Sequence, residues 1–374
     1  MQRLSILVLG LMLTMAGSTE LAAQDREKET FKVKPGQTLD VQMESGGSLT
    51  ITSWNKEEVE VIFRQRRGSL DDYKIDVSET SDGLRITTDT KGFWGDHDGT
   101  VDAYVKVPTK FNLDFYSSGG DLKMDGVEGE FDGKTMGGDL DLVRVAGLAD
   151  LKTMGGDITI RDATLDGRVH TMGGDVDIKN VSGTLKSTSM GGDVRYDNTG
   201  TGKSSKPIEM STMGGDIDLA NAPHGAEVKT MGGDISIESA RKYIVAKTMG
   251  GNIEIREIDG KIKATTMGGD VDVRVVGTDD ADRSVDLVSK GGNVVLTVPA
   301  DLSMDIDITL AYTKRGWDDY AIESDFDLDI ERTDKWNYSR GSGRKFIYGK
   351  AKFGSGKNKI RIETTNGRIY LKKE

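Results

Sequence analysis

Along the middle of the chain, apolar and polar residues alternate in short bursts that return every 18 residues. One apolar column runs Leu140, Ile158, Val176, Val194, Ile217, Ile235, Ile253 and Val271. A second, two residues on, runs Leu142, Ile160, Ile178, Tyr196, Leu219, Ile237, Ile255 and Val273. Two apolar residues flanking a polar one describe a half-buried strand. Another apolar pair precedes each burst, as in Ile208/Met210, Ala226/Val228, Ile244/Ala246, Ile262/Ala264 and Val285/Leu287. Each unit therefore predicts two short strands. Between them stands Thr-Met-Gly-Gly-Asp, first at Thr135–Asp139 and then at Thr153–Asp157, Thr171–Asp175, Thr212–Asp216, Thr230–Asp234 and Thr265–Asp270. Near copies occupy Ser189–Asp193 and Thr248–Asn252. From Gly119 to Gly291 the first glycines step by 18 residues, except for 23 at Gly191–Gly214 and Gly268–Gly291.

Two strands per unit, repeated in one direction, stack as parallel rungs of a β-solenoid. The expected fold is all-β: a single-stranded, right-handed parallel β-helix with ~18-residue coils and capped ends, right-handed because parallel crossovers are. A left-handed hexapeptide helix fits poorly, since a strict spacing of six would turn Ala146 and Lys152 inward. Ten inner rungs give a rod roughly 45 Å long. The Gly-Gly pairs are expected to supply φ > 0 at one corner. Mid-repeat glycines such as Gly147, Gly183, Gly225 and Gly260 are expected to turn the other. The 23-residue steps read as insertions near Thr199–Ser205 and Thr278–Arg283.

Residues 25–116 predict a strand-rich cap with the first rungs, 117–298 the regular repeats, and 299–374 further rungs and a cap, all one continuous domain. Val107-Pro108 before Phe111–Tyr116 is echoed by Val298-Pro299 before Leu302–Leu310, so both ends follow one scheme. Lys359–Leu371 reads as one more rung, turning at Asn366-Gly367. These Gly-Gly-Asp-aliphatic-x-aliphatic rungs, the Val-Pro elements and the closing Thr364-Thr365-Asn366-Gly367-Arg368-Ile369-Tyr370-Leu371 resemble the bacterial putative-adhesin family of β-strand-repeat proteins, a domain of unknown function. The resemblance implies a single-stranded β-helix on an exported protein, and it brings no catalytic residues.

Composition changes the picture in two places. Residues 1–24 read as a signal peptide: Arg3, the apolar run Leu4–Met15, and a cleavage region at Ala22-Ala23-Gln24. That run is too short to span a membrane, so no transmembrane segment is expected. The protein is expected to be exported: periplasmic, on the cell surface or secreted. A net charge of −12 argues against nucleic acid as a partner. The absence of cysteine excludes disulfides and lipoprotein attachment.

Candidate chemistry lies in columns. The residue after each Gly-Gly is Asp, or Asn at Asn252 and Asn293. Stacked carboxylates repel by roughly 1 kcal/mol per neighbour in water. Cation sites would offset this, as would hydrogen bonds from backbone N–H groups at the turn. The two Asn favour the backbone reading. The doubly acidic rungs Asp139/Asp141 and Asp175/Asp177 stay weak metal candidates. Asp96-His97-Asp98 reads as a solvated loop, and Trp94, Trp317 and Trp336 as cap packing rather than sugar platforms. The methionine column comprises Met136, Met154, Met172, Met190, Met213, Met231, Met249 and Met267. Strand parity puts it outside, at a corner, as a candidate contact surface. A corner can flip parity, and an inward methionine ladder is the alternative. The expected function is non-enzymatic and cofactor-free: binding, adhesion or envelope structure through the lateral face, with an envelope glycan, a surface protein or another copy as partner. The alternative is a carbohydrate-active β-helix enzyme, a polysaccharide lyase or hydrolase using clustered carboxylates.

Overall fold

The computed structural model describes residues 28–65, 69–91, 99–197, 206–277, 281–314, 320–338 and 343–374. The expected signal, the His97 loop with Trp94, Trp317, the insertion at 199–205 and part of that at 278–283 lie outside these residues. The described chain is all-β. Its 31 strands join in one hydrogen-bonded network, beside a single 3-10 turn at Leu70–Asp72.

Rung stacks on rung in parallel with a step of 18 residues. Leu140–Val143 pairs with Ile158–Arg161, which pairs with Val176–Lys179. The strand before the glycines does the same, Glu128–Thr135 with Ala146–Thr153 and then Thr164–Thr171. Two parallel ladders result, one before and one after each Gly-Gly. Across the 23-residue step the register holds, with Val194 opposite Ile217 and Ser187 opposite Met210. Both predicted apolar columns of the post-glycine ladder are buried. A further buried column closes the far corner: Val127, Val145, Ala163 and Val181, then Ala222, Ala240, Ile258 and Val275.

The corners differ from expectation. No glycine of the inner Gly-Gly pairs has positive φ; only Gly46 and Gly47 of the first pair do. The pair is needed for contact instead. A Cβ on Gly138 would lie 2.2 Å from the carbonyl carbon of Gly120, and one on Gly156 2.2 Å from the Gly138 oxygen. The second glycines thus stack backbone on backbone. At the far corner the left-handed residues are Gly126 (φ 74°), Arg144 (53°), Asp162 (53°) and Asn180 (54°), 18 apart. Gly147 and Gly260 lie inside strands, while Gly183 falls at a bend and Gly225 directly follows the turn at Pro223-His224. Further on, Ile235–Lys247 and Ile253–Thr266 round that corner as single strands and so belong to both ladders.

Both flanks add rungs, but out of chain order. The first rung, Thr38–Met43 and Leu49–Trp54, lies between the rung of Gly83–Thr90 and Val101–Pro108 and that of Asn112–Ser117 and Leu122–Asp125. At the other end the last rung, Asn358–Thr365 and Ile369–Lys373, lies between Val285–Val298 and the strands Met304–Thr313 and Ile322–Ser324. Antiparallel strands then close each end: Glu58–Gln65 and Tyr73–Thr80 at one, Arg344–Phe353 and Asp329–Arg332 at the other. Asp329–Arg332 is an exposed edge carrying three charges, which discourages further strand addition. Trp336 packs on Tyr312 with ring centroids 6.0 Å apart, a cap contact.

Candidate binding edge

The Thr-Met-Gly-Gly-Asp corner is built by its polar residues. The threonine or serine side chains point inward and are buried, from Thr135 and Thr153 through Thr171, Ser189 and Thr212 to Ser289. Each hydroxyl donates to the carbonyl of the second glycine one rung back, at 2.6–2.9 Å. The same oxygen accepts from the second-glycine N–H of its own rung, at 2.9–3.3 Å. One hydroxyl thus satisfies two buried or half-buried backbone groups at a corner where the ladder is interrupted.

The acidic column has a matching role. Asp139 N–H donates to Asp121 Oδ1 at 3.0 Å, Asp157 N–H to Asp139 Oδ1 at 2.8 Å, and the series continues to Asn293. Each side-chain oxygen therefore caps the next rung, a task that Asn252 performs as well as Asp. The weak metal candidates separate accordingly. Asp139 and Asp175 cap the following rungs, Asp141 Oδ1 accepts from Arg161 at 3.1 Å, and Asp177 is exposed. Among the described residues no three His, Asp or Glu side chains converge on a metal position.

With threonine turned in, methionine turns out. All eight column members are exposed, from 36% at Met154 to 51% at Met267. Their stacking is direct: Met154 N–H donates to Thr135 C=O, Met172 N–H to Thr153 C=O, and Gly232 N–H to Met213 C=O. The methionines form a continuous apolar edge where the two ladders meet.

What flanks the edge follows from the same parity. On the pre-glycine side the outward neighbours are Lys134, Lys152, His170, Thr188, Ser211, Lys229, Lys247 and Thr265. On the other side stands the Asp column. The edge is thus apolar at its crest, basic or neutral on one flank and acidic on the other. Arg195 reaches Asp193 at 2.6 Å, with Asp218 at 3.5 Å and Asp175 at 3.7 Å. Burial pushes the Asp218 carboxyl up; Arg195 opposes this, while Asp216 and Asp193 add to it. Further round the pre-glycine face, Arg168 and then Lys152 hold Asp150 down at about 2. Beyond them a groove of about 670 Å³ runs past Asp132, Asp150, Leu148, Arg168 and Lys186.

The family model described as Toastrack DUF4097 matches residues 14–223, more than half of the chain. No curated protein matches. Among solved structures, a putative adhesin from Parabacteroides distasonis is 14% identical, with 71% of this chain and 97% of that one covered and a TM-score of 0.38. A putative cell adhesion protein from Clostridium sporogenes is 9% identical over 93% of this chain and 99% of that one, with a TM-score of 0.17. A putative adhesin from Bacteroides fragilis is 11% identical over 93% and 97%, with a TM-score of 0.18. Among the described residues no helix is long and apolar enough to cross a membrane.

Proposed function

The chain belongs to the Toastrack DUF4097 family, and from that premise we propose an exported, non-enzymatic β-solenoid that serves adhesion or envelope structure through its methionine edge. Residues 25–374 act as one continuous domain, coiled right-handed as parallel crossovers are. The observation that carries the reading is the row of eight exposed thioether side chains on adjacent rungs. Flexible apolar side chains repeated every ~4.8 Å adapt to an uneven partner, and such a stripe is expensive to leave in water without one.

An envelope glycan or a surface protein is the partner class that suits an exported rod. The enzyme reading asks for two carboxylates facing each other across a sugar bond, about 5–9.5 Å apart. Side chains leaving one face of a parallel ladder all point the same way, and the acidic column is engaged in capping. The test is a binding screen of the protein lacking residues 1–24 against envelope glycans and envelope protein fractions. Saturable retention without turnover is expected. Polysaccharide cleavage that disappears when one Asp is replaced would overturn the proposal in favour of the enzyme.

A further inference from the structure

Docking needs apolar bulk at the edge and does not need sulfur. Residue type drifts in the aliphatic, hydroxyl and acidic columns while the two glycine columns hold: Leu140 gives way to Ile158 and Val176, Thr171 to Ser189, Asp234 to Asn252. The edge holds methionine at eight successive rungs although each side chain is exposed. Leu would be as apolar, so a property special to the thioether is the simplest reason for the constancy.

The central rungs have the surroundings a soft metal ion requires. Met172, Met190 and Met213 lie on adjacent rungs: Met190 N–H donates to Thr171 C=O at 3.1 Å, and Gly214 N–H to Met190 C=O at 3.1 Å. Rungs ~4.8 Å apart set the three side chains over about 10 Å of edge, so the flexible thioethers of Met172 and Met213 must lean toward Met190 to meet one ion at metal–sulfur bonds of ~2.3 Å. Lysines flank the edge at Lys134 and Lys152 on one side of this segment and at Lys229 and Lys247 on the other. Beside the three central methionines their places are taken by His170, Thr188 and Ser211, which removes the nearest repelling cations. Across the edge stand Asp175, Asp193 and Asp216, partly neutralised by Arg195. His170 is half-buried, shares the outward parity of Met172 two residues on, and makes no side-chain hydrogen bond to the described residues.

We propose that this segment binds a soft monovalent metal ion of the copper(I) class, through the thioethers of Met172, Met190 and Met213 and the imidazole of His170. Thioether and imidazole donors suit such an ion, and a chain without cysteine has no softer sulfur to offer. The inference goes beyond the docking proposal and does not depend on it.

The experiment uses the protein lacking residues 1–24, under anaerobic reducing conditions, in competition with a chromophoric copper(I) chelator. The wild type should withdraw copper(I), and silver(I) should displace it. The triple variant Met172→Leu, Met190→Leu, Met213→Leu keeps the apolar edge and should lose affinity by about a hundredfold or more, with His170→Gln losing at least about tenfold. His170→Gln leaves the methionines untouched, so it still answers if the triple variant folds poorly. A wild type that fails to compete overturns the proposal, as does a folded triple-Leu variant that binds copper(I) unchanged. Because leucine preserves docking, a wild type that binds envelope fractions but no copper(I) removes this inference alone.

Discussion

Thr171→Val keeps the shape of a buried side chain and deletes one hydroxyl. In the fold Thr171 Oγ1 donates to Gly156 C=O at 2.8 Å and accepts from Gly174 N–H at 3.1 Å. The residue is completely buried, so no water replaces the lost partner. The buried Gly156 carbonyl and the half-buried Gly174 N–H lose their partner, at about 1–3 kcal/mol each, which sums to about 2–6 kcal/mol. Thr171→Ser keeps both bonds and loses a methyl group, costing about 1 kcal/mol. Serine already stands at the equivalent Ser189 and Ser289, with hydroxyl bonds of 2.7 and 2.8 Å. Urea unfolding followed by circular dichroism gives the global number. Amide exchange at Gly174 gives the local one, which matters because repeat proteins open by segments. The expected order is wild type, Ser, then Val, with exchange at Gly174 fastest in the Val variant. If Val matches the wild type or exceeds Ser, the corner is held by packing and the hydroxyl argument fails.

Three other outcomes follow from the same geometry. Gly174→Ala places a Cβ 2.2 Å from the Gly156 oxygen and should cost about 3 kcal/mol or more, while Gly155→Ala meets nothing nearer than 3.7 Å and should stay within about 0.5 kcal/mol; equal melting temperatures would refute the stacking role of the second glycine. Ending the chain before Asn358 removes the rung between Val285–Val298 and Met304–Thr313, so limited proteolysis should release the segment after Val298, and persistent protection would contradict the interleaved order. Asp150 and Asp282 both sit at about 2, held down by Arg168 with Lys152 and by Lys261 with Ser284. Carboxyls depressed on folding stabilise above their unfolded value near 4 and lose that stabilisation as pH falls toward 2. Asp150→Asn should therefore narrow the stability difference between pH 6 and pH 3, and an unchanged difference in urea melts would refute the assignment.

The ladders were legible because a period of two within a period of 18 leaves one register that buries both apolar columns. The outward methionines followed from the same parity, Thr230 inside with Val228 and Met231 outside with Lys229. The reason for the glycines was misread. A Gly-Gly pair signals either positive φ or close approach, and only coordinates tell that Gly138 sits on Gly120. The far corner was obscured because Arg144, Asp162 and Asn180 adopt a conformation that sequence reasoning assigns to glycine. The order of rungs at the ends could not be read at all. Every rung presents the same apolar columns, so the pattern does not say that Gly367 stacks on Gly292 or Gly120 on Gly47. The acid caps were legible through Asn252 and Asn293, although the partner is the next rung's N–H and not the residue's own turn.

The most direct measurement is made on one variant, Met172→Ser, Met190→Ser, Met213→Ser, in the protein lacking residues 1–24. Thermal unfolding by circular dichroism and co-sedimentation with envelope fractions are read on the same preparation. The methionines lie outside the core, so the melt should move little, by about 1 kcal/mol or less in stability. Retention by the envelope fractions should fall sharply. Collapse of the fold would mean that the methionines close the core, and undiminished retention by a folded variant would mean that the edge is not the contact surface.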